Sequence, residues 1–183
     1  MLRLFRYGVA SLLVALAASP FALAQSRSPS VTLVSAPLTP ITRGTAGLVK
    51  LRFHISGGYH INSNKPKEEF LIPTALKLDA PTDIAITRVT YPPGEDRAFE
   101  FDPNDRLNVY TGEFTVTVGV RPLKDVVQGK YAIHGTLKYQ ACDNRACYPP
   151  KTVPVDFEVK VQKSKAAASR TVHGNKQSPH IHN

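Results

Sequence analysis

Apolar and polar residues alternate with a period of two through the middle of the chain. Val49, Leu51, Phe53 and Ile55 share one side of a segment whose other side carries Lys50, Arg52 and His54. Phe114, Val116, Val118 and Val120 alternate in the same way with Thr115, Thr117 and Gly119. Val153, Val155, Phe157, Val159 and Val161 alternate with Pro154, Asp156, Glu158 and Lys160. Successive side chains of a strand point to opposite faces, so each segment predicts a strand with one buried face. Further strands are expected over residues 59–62, 74–78, 84–89 and 131–142. No stretch of ten residues carries helical spacing, which disfavours alternating strand–helix folds. Seven to nine strands in about 120 residues, with turn signals between them, predict an all-β, immunoglobulin-like antiparallel β-sandwich of one domain. A closed barrel is the architectural alternative.

The two ends have other patterns. Arg3 and Arg6 precede a short apolar run from Val9 to Ala18, and Pro20 leads to Ala22-Leu23-Ala24. That order is the one expected of a cleavable secretory signal over residues 1–24, with the mature chain starting at Gln25. The run is too short for a spanning helix, so no membrane insertion is expected after cleavage. Residues 25–40 form a Ser/Pro-rich leader around one apolar run at 31–34. Pro37 and Pro40 restrict any strand there to an edge. The domain is expected over 41–162. Residues 163–183 lack apolar periodicity and form a basic, histidine-containing tail, expected to be disordered.

The formal charge of +9 changes meaning once it is divided. Arg3 and Arg6 carry two of it and Lys163, Lys165, Arg170 and Lys176 four, leaving 17 basic against 14 acidic residues between. The domain is nearly balanced, and a basic face for nucleic acid is not visible within it. His173, His180 and His182 lie in the tail, while His54, His60 and His134 are scattered over strands. A fixed metal site needs three or four ligands in defined geometry, so neither a metal nor another cofactor is expected. Glycine-rich phosphate loops, G-x-S-x-G and H-E-x-x-H are missing from the sequence, leaving hydrolytic or nucleotide chemistry without machinery.

Two segments carry candidate chemistry. Residues 91–108 (YPPGEDRAFEFDPNDRLN) read as a long acidic loop with two aromatics, Phe99 and Phe101. Such a loop is either a functional cover or a solvated surface loop whose phenylalanines tuck into the core. The second is YQACDNRACYPP, residues 139–150, where Cys142 and Cys147 enclose four residues at a strand end. An exported chain with two cysteines is expected to close that disulfide in an oxidising compartment. In the chain-entropy description so short a loop stabilises by only about 2 kcal/mol. Strand alternation puts Tyr131, Ile133, Leu137 and Tyr139 on one face and His134, Lys138, Gln140 and Cys142 on the other, more accessible one. A bulge near the strand end would reverse that placement. The residues alone leave both a redox-active pair and a structural staple open.

Taken together, YQACDNRACYPP, the strand VPVDFEVKV, the upstream GGYHINSNKP and the proline-containing loop resemble the N-terminal periplasmic domain of the disulfide interchange reductase DsbD. The resemblance spans residues 40–162, and its most specific part is Tyr-Gln-x-Cys followed by Cys-Tyr-Pro-Pro. It implies an immunoglobulin-like fold, a redox-active pair at Cys142 and Cys147, and periplasmic or secreted location. It also implies a thioredoxin-like electron donor, free or membrane-anchored, and oxidised periplasmic thiol proteins as acceptors. By the same resemblance Cys147 joins partners and Cys142 resolves, and an aromatic cap shields the pair, with Phe99 and Phe101 as candidates. Tyr59, His60, Asn62, Tyr139 and Tyr148 flank the site. The best-known member encloses five residues between its cysteines, one more than here. The competing reading is a binding or adaptor domain whose disulfide pins a hairpin.

Overall fold

The computed structural model describes residues 30–100 and 102–163. The expected signal segment, the tail beyond residue 163 and Phe101 lie outside the described residues. All regular elements within them are strands: β1 Val31–Ser35, β2 Thr39–Thr42, β3 Gly47–Ile55, β4 His60–Asn62, β5 Ala75–Asp79, β6 Ile84–Thr90, β7 Glu95–Phe99, β8 Asp102–Thr111, β9 Glu113–Pro122, β10 Gly129–Tyr139, β11 Ala141–Cys142, β12 Lys151–Pro154 and β13 Phe157–Gln162.

Two sheets form an immunoglobulin-like sandwich. One has the order β1-β3-β9-β6, and the other the order β12-β10-β13-β2 with β5 also on β10. The alternating segments do as their pattern dictates. Val49, Leu51 and Phe53 of β3 stand opposite Val118, Val116 and Phe114 of β9, and all six are buried. Ile133, Leu137, Val155, Phe157, Val159 and Val161 close the core from the second sheet. Phe114 stacks between Phe53 and Tyr110, with ring centroids 5.2 and 5.0 Å away. The proline-bearing leader supplies two edge strands. Strand β1 pairs only with β3, and β2, with Pro40 in it, lies parallel to β13.

Three expectations about continuity are corrected. The strand over 153–161 is interrupted: β12 and β13 flank Val155 and Asp156, and both pair with β10. Pro154 has no N–H to give the ladder, and pairing resumes through Val155 N, which donates to Gly135 O at 2.9 Å. Residues 91–108 are not one long loop. They contain most of a hairpin, β7 against β8, with Phe99 opposite Asp102 at its tip. The five acidic residues hid an edge hairpin whose outer side faces water, where polar residues suit a strand as well as a loop. Finally, the strand over 131–142 breaks at Gln140.

That last break builds the third sheet. Strand β10 belongs to the sandwich, whereas β11, one residue later, joins the order β11-β4-β8-β7. This small sheet carries Cys142, in β11, and the tip of the β7–β8 hairpin. Gly58 (φ 85°) and Gly112 (φ 60°) make the turns into β4 and β9, in the left-handed region that glycine enters without strain. No described helix is long and apolar enough to cross a membrane.

Candidate functional site

Strand β4 is the axis of the site. His60 stands opposite Cys142 of β11 on one side and Thr111 of β8 on the other. Cys142 in turn forms an isolated antiparallel bridge with Cys147. Directly opposite residues in an antiparallel pair project to the same face, so Cys147, Cys142 and His60 form a row across the sheet. The two cysteines are joined by a disulfide, S–S 2.04 Å.

The two sulfurs differ in access. Cys142 is fully buried, at 0% exposure, whereas Cys147 is exposed. This overturns the expectation that Cys142 lies on the accessible face. The break at Gln140 shifts the alternation, so Tyr139, Ala141 and Cys142 are all buried. Gln140 itself ties three segments together. Its Oε1 accepts from Asn62 Nδ2 (3.2 Å) and Ile72 N (3.4 Å), and its Nε2 donates to Tyr148 O (3.2 Å). Sequence reasoning quoted Gln140 in the cysteine motif without assigning it a task. A polar amide between two strand-forming runs was the available signal.

The four-residue loop is held by its own first residue. Asp143 Oδ1 accepts from Arg145 N (2.8 Å) and Ala146 N (2.9 Å), a side-chain mimic of a backbone turn. Tyr148 donates its hydroxyl to Asp143 Oδ2 at 2.6 Å. That bond, with the two amides, holds the Asp143 carboxyl down at about 2, and the same contact pushes the Tyr148 phenol up to about 12. Tyr148 N returns to Ala141 O at 2.8 Å, and its ring meets Tyr59 edge-on at 5.8 Å. Arg145 lies in this loop. Lys138 sits on β10, beside Pro150, Lys151 and Thr152.

Phe99 closes the other side of the row. Its ring stacks on His60 at 3.9 Å between centroids and 15° between planes, and it packs against Leu71, Leu107 and Val109 beneath the hairpin. His60 is consequently only 3% exposed. Burial outweighs the attraction of Asp143, and Arg97 adds to the effect, so its pKa falls from 6.5 to about 4. An open cleft of about 400 Å³ runs past this group, lined among others by His54, Tyr59, His60, Arg97, Phe99 and Asn144.

The remaining flanking candidates divide. Asn62 is buried under the site, donating to Ile72 O at 3.0 Å and supporting Gln140. Tyr139 belongs to the sandwich core, where its hydroxyl accepts from Val31 N at 3.3 Å. Among the described residues no three His, Cys, Asp or Glu side chains converge as a metal site would require.

The profile of the family described as "Thiol:disulfide interchange protein DsbD, N-terminal" matches residues 32–159. The chain belongs to this family. Its disulfide is therefore that of a DsbD N-terminal-type domain, in a family whose work is thiol–disulfide exchange. Among solved structures, the reduced N-terminal domain of DsbD from Neisseria meningitidis is 28% identical, covering 62% of this chain and 82% of that one, with a TM-score of 0.36. The complex between the DsbD and PilB N-terminal domains of the same organism gives 27% identity, 61% and 73% coverage, and a TM-score of 0.38. No curated protein matches the chain.

Proposed function

We propose that this protein is an exported thiol–disulfide interchange module, relaying electrons from a thioredoxin-like donor to oxidised periplasmic partners through Cys142 and Cys147. The observation that carries the reading is the unequal exposure of the two cysteines: Cys147 is exposed, whereas Cys142 is fully buried. In this scheme residues 1–24 are removed on export, and the leader, the domain over 41–162 and the tail remain outside the cytoplasm. The donor is free or membrane-anchored.

The geometry supports a defined order of events. A donor thiolate attacks Cys147 Sγ, the Cys142–Cys147 bond breaks, and Cys142 leaves with the electron pair and takes a proton. The donor's second thiol then attacks its own sulfur in the mixed disulfide, leaving both cysteines reduced and the donor oxidised. In the forward half, Cys147 attacks an acceptor disulfide and Cys142 displaces the acceptor from Cys147. Phe99 is the cap in this reading: seated on His60, the cross-strand neighbour of Cys142, it shields the buried end of the bond until a partner displaces it. Tyr59 and Tyr148 border the opening, and Asn62 supports it from below.

The test is trapping combined with potential. A Cys142→Ser chain is expected to accumulate mixed disulfides through Cys147 with a thioredoxin-fold protein, and the native bond to be more oxidising than the about −300 mV typical of structural disulfides. A folded Cys142→Ser chain that traps nothing, with a native potential well below that value, identifies an adaptor domain pinned by a structural bond and refutes the relay.

A further inference from the structure

The row of residues across the small sheet leaves one group without a task. His60 Nε2 is buried and has no hydrogen-bond partner, in a side chain only 3% exposed. Leaving a buried polar atom unpaired is costly, so its presence here calls for a use. Its cross-strand neighbour is Cys142, and directly opposite residues bring their Cβ atoms within about 4.5–5.5 Å. Cys142 has a difficulty of its own. A thiol shut away from water holds its proton, because the thiolate it must become is poorly solvated there.

We propose that His60 is the acid–base partner of Cys142, its Nε2 accepting the thiol proton as Cys142 attacks the mixed disulfide at Cys147. The proposal rests on the relay reading and adds a residue to it. The step balances. The Cys142 S–H bond breaks and its proton moves to Nε2; the Cys142 sulfur forms a bond to Cys147 Sγ as the Cys147–partner S–S bond breaks. The partner's sulfur leaves with the electron pair and takes the proton from the imidazolium. Two thiolates' worth of electrons pass to the partner, and the Cys142–Cys147 disulfide is restored. In the reverse half the neutral ring takes up the proton shed by the attacking donor thiol and passes it to Cys142 as that sulfur leaves with the electron pair.

The surroundings suit both states of the ring. Burial under Phe99 keeps His60 neutral at neutral pH; the proposed step uses the tautomer with its proton on Nδ1, which leaves a bare lone pair at Nε2. Asp143, from the cysteine loop, favours the imidazolium, while Arg97 of β7 opposes it. His54 of β3 and Tyr59 share the cleft, and Thr111 of β8 brings no charge. Displacing Phe99 admits water to the ring and raises its basicity, so the base strengthens when a partner has opened the cap.

The test uses the reduced full-length mature chain and dithiobis(nitrobenzoate), a chromogenic aromatic disulfide. Attack by exposed Cys147 releases one coloured thiolate at a rate proportional to reagent. Resolution by Cys142 releases a second at a rate independent of it. In His60→Phe, which preserves an aromatic ring under Phe99, the second phase is expected to slow about a hundredfold at pH 7, the scale of a lost general base. The first phase stays unchanged. The deficit should shrink as pH rises, because hydroxide replaces the imidazole, and His60→Gln should share it. A second phase equal to the native chain's, or slowed equally at every pH in both variants, overturns the role of His60 while leaving the relay intact. If dithiothreitol cannot reduce the folded native chain, so that neither phase is seen, the relay reading fails and this inference with it.

Discussion

Removing the Phe99 ring should change how the fold responds to acid. His60 is neutral in the folded protein down to about pH 4, against an ordinary value of 6.5. In the unfolded chain the imidazole titrates near 6.5, so between those two pH values the unfolded state binds more protons. Stability therefore rises with pH across that window, and acid erodes it as pH falls from 6.5 towards 4. Each unit of displacement is worth 1.36 kcal/mol, so the full displacement to about 4 corresponds to about 3 kcal/mol lost by the bottom of the window. The largest cause is burial, and Phe99 is stacked directly on the ring. In Phe99→Ala water reaches the imidazole, its pKa moves back towards 6.5, and the slope of stability between pH 4 and 6.5 flattens. The assay is urea unfolding of the oxidised chain at intervals of pH, alongside NMR titration of the His60 ring. His134 pairs with Asp156 at the exposed surface in both chains, so it cancels in the comparison. A native His60 that titrates near 6.5, or a Phe99→Ala chain with an undiminished acid slope, refutes the reasoning.

Two further outcomes test the scaffold around the cysteines. Gln140→Ala leaves Asn62 Nδ2, Ile72 N and Tyr148 O without the amide that joins them, and unfolding in urea should show a loss of about 1–3 kcal/mol for the groups stranded in the interior. Tyr148→Phe removes the hydroxyl that donates to Asp143; the Asp143 carboxyl should rise from about 2 towards its ordinary 3.8, read by NMR titration of its side-chain carbon, while the amides of Arg145 and Ala146 keep part of the depression.

The sandwich was legible because its strands bury one face only. In β3 and β9 every second residue is apolar, and period alone assigns Val49, Leu51, Phe53, Phe114, Val116 and Val118 to the interior. Where an element is not half-buried, the same rule misleads. Strand β7 is exposed along most of its length, so its sequence, EDRAF, carries no alternation and read as loop. Strand β4 lies where a strand was expected over 59–62, but His60, Ile61 and Asn62 are all buried, and two polar residues in three gave no sign of an interior position. The cysteine motif drew attention to the right segment, and Phe99 was one of two cap candidates. Its contact is with His60, thirty-nine positions earlier in the chain, and nothing local to either residue announces that pairing.

One residue accounts for most of what the pattern misjudged at the site. Had β10 continued without interruption to Cys142, alternation would have placed that sulfur opposite Tyr139, on the outer face and open to any oxidant. The chain instead leaves the sandwich at Gln140, and its amide fills hydrogen bonds with the loop before β5, with β4 and with the segment after Cys147. The handover turns Cys142 inward against His60 and leaves Cys147 as the exposed end of the bond. A relay needs this inequality. Two exposed sulfurs would let a second partner compete for the resolving thiol, and two buried ones would admit no partner. In the proposed relay, the unequal pair would restrict entry to Cys147 and make resolution an internal step, its rate set by the group beside Cys142 and not by the concentration of any partner.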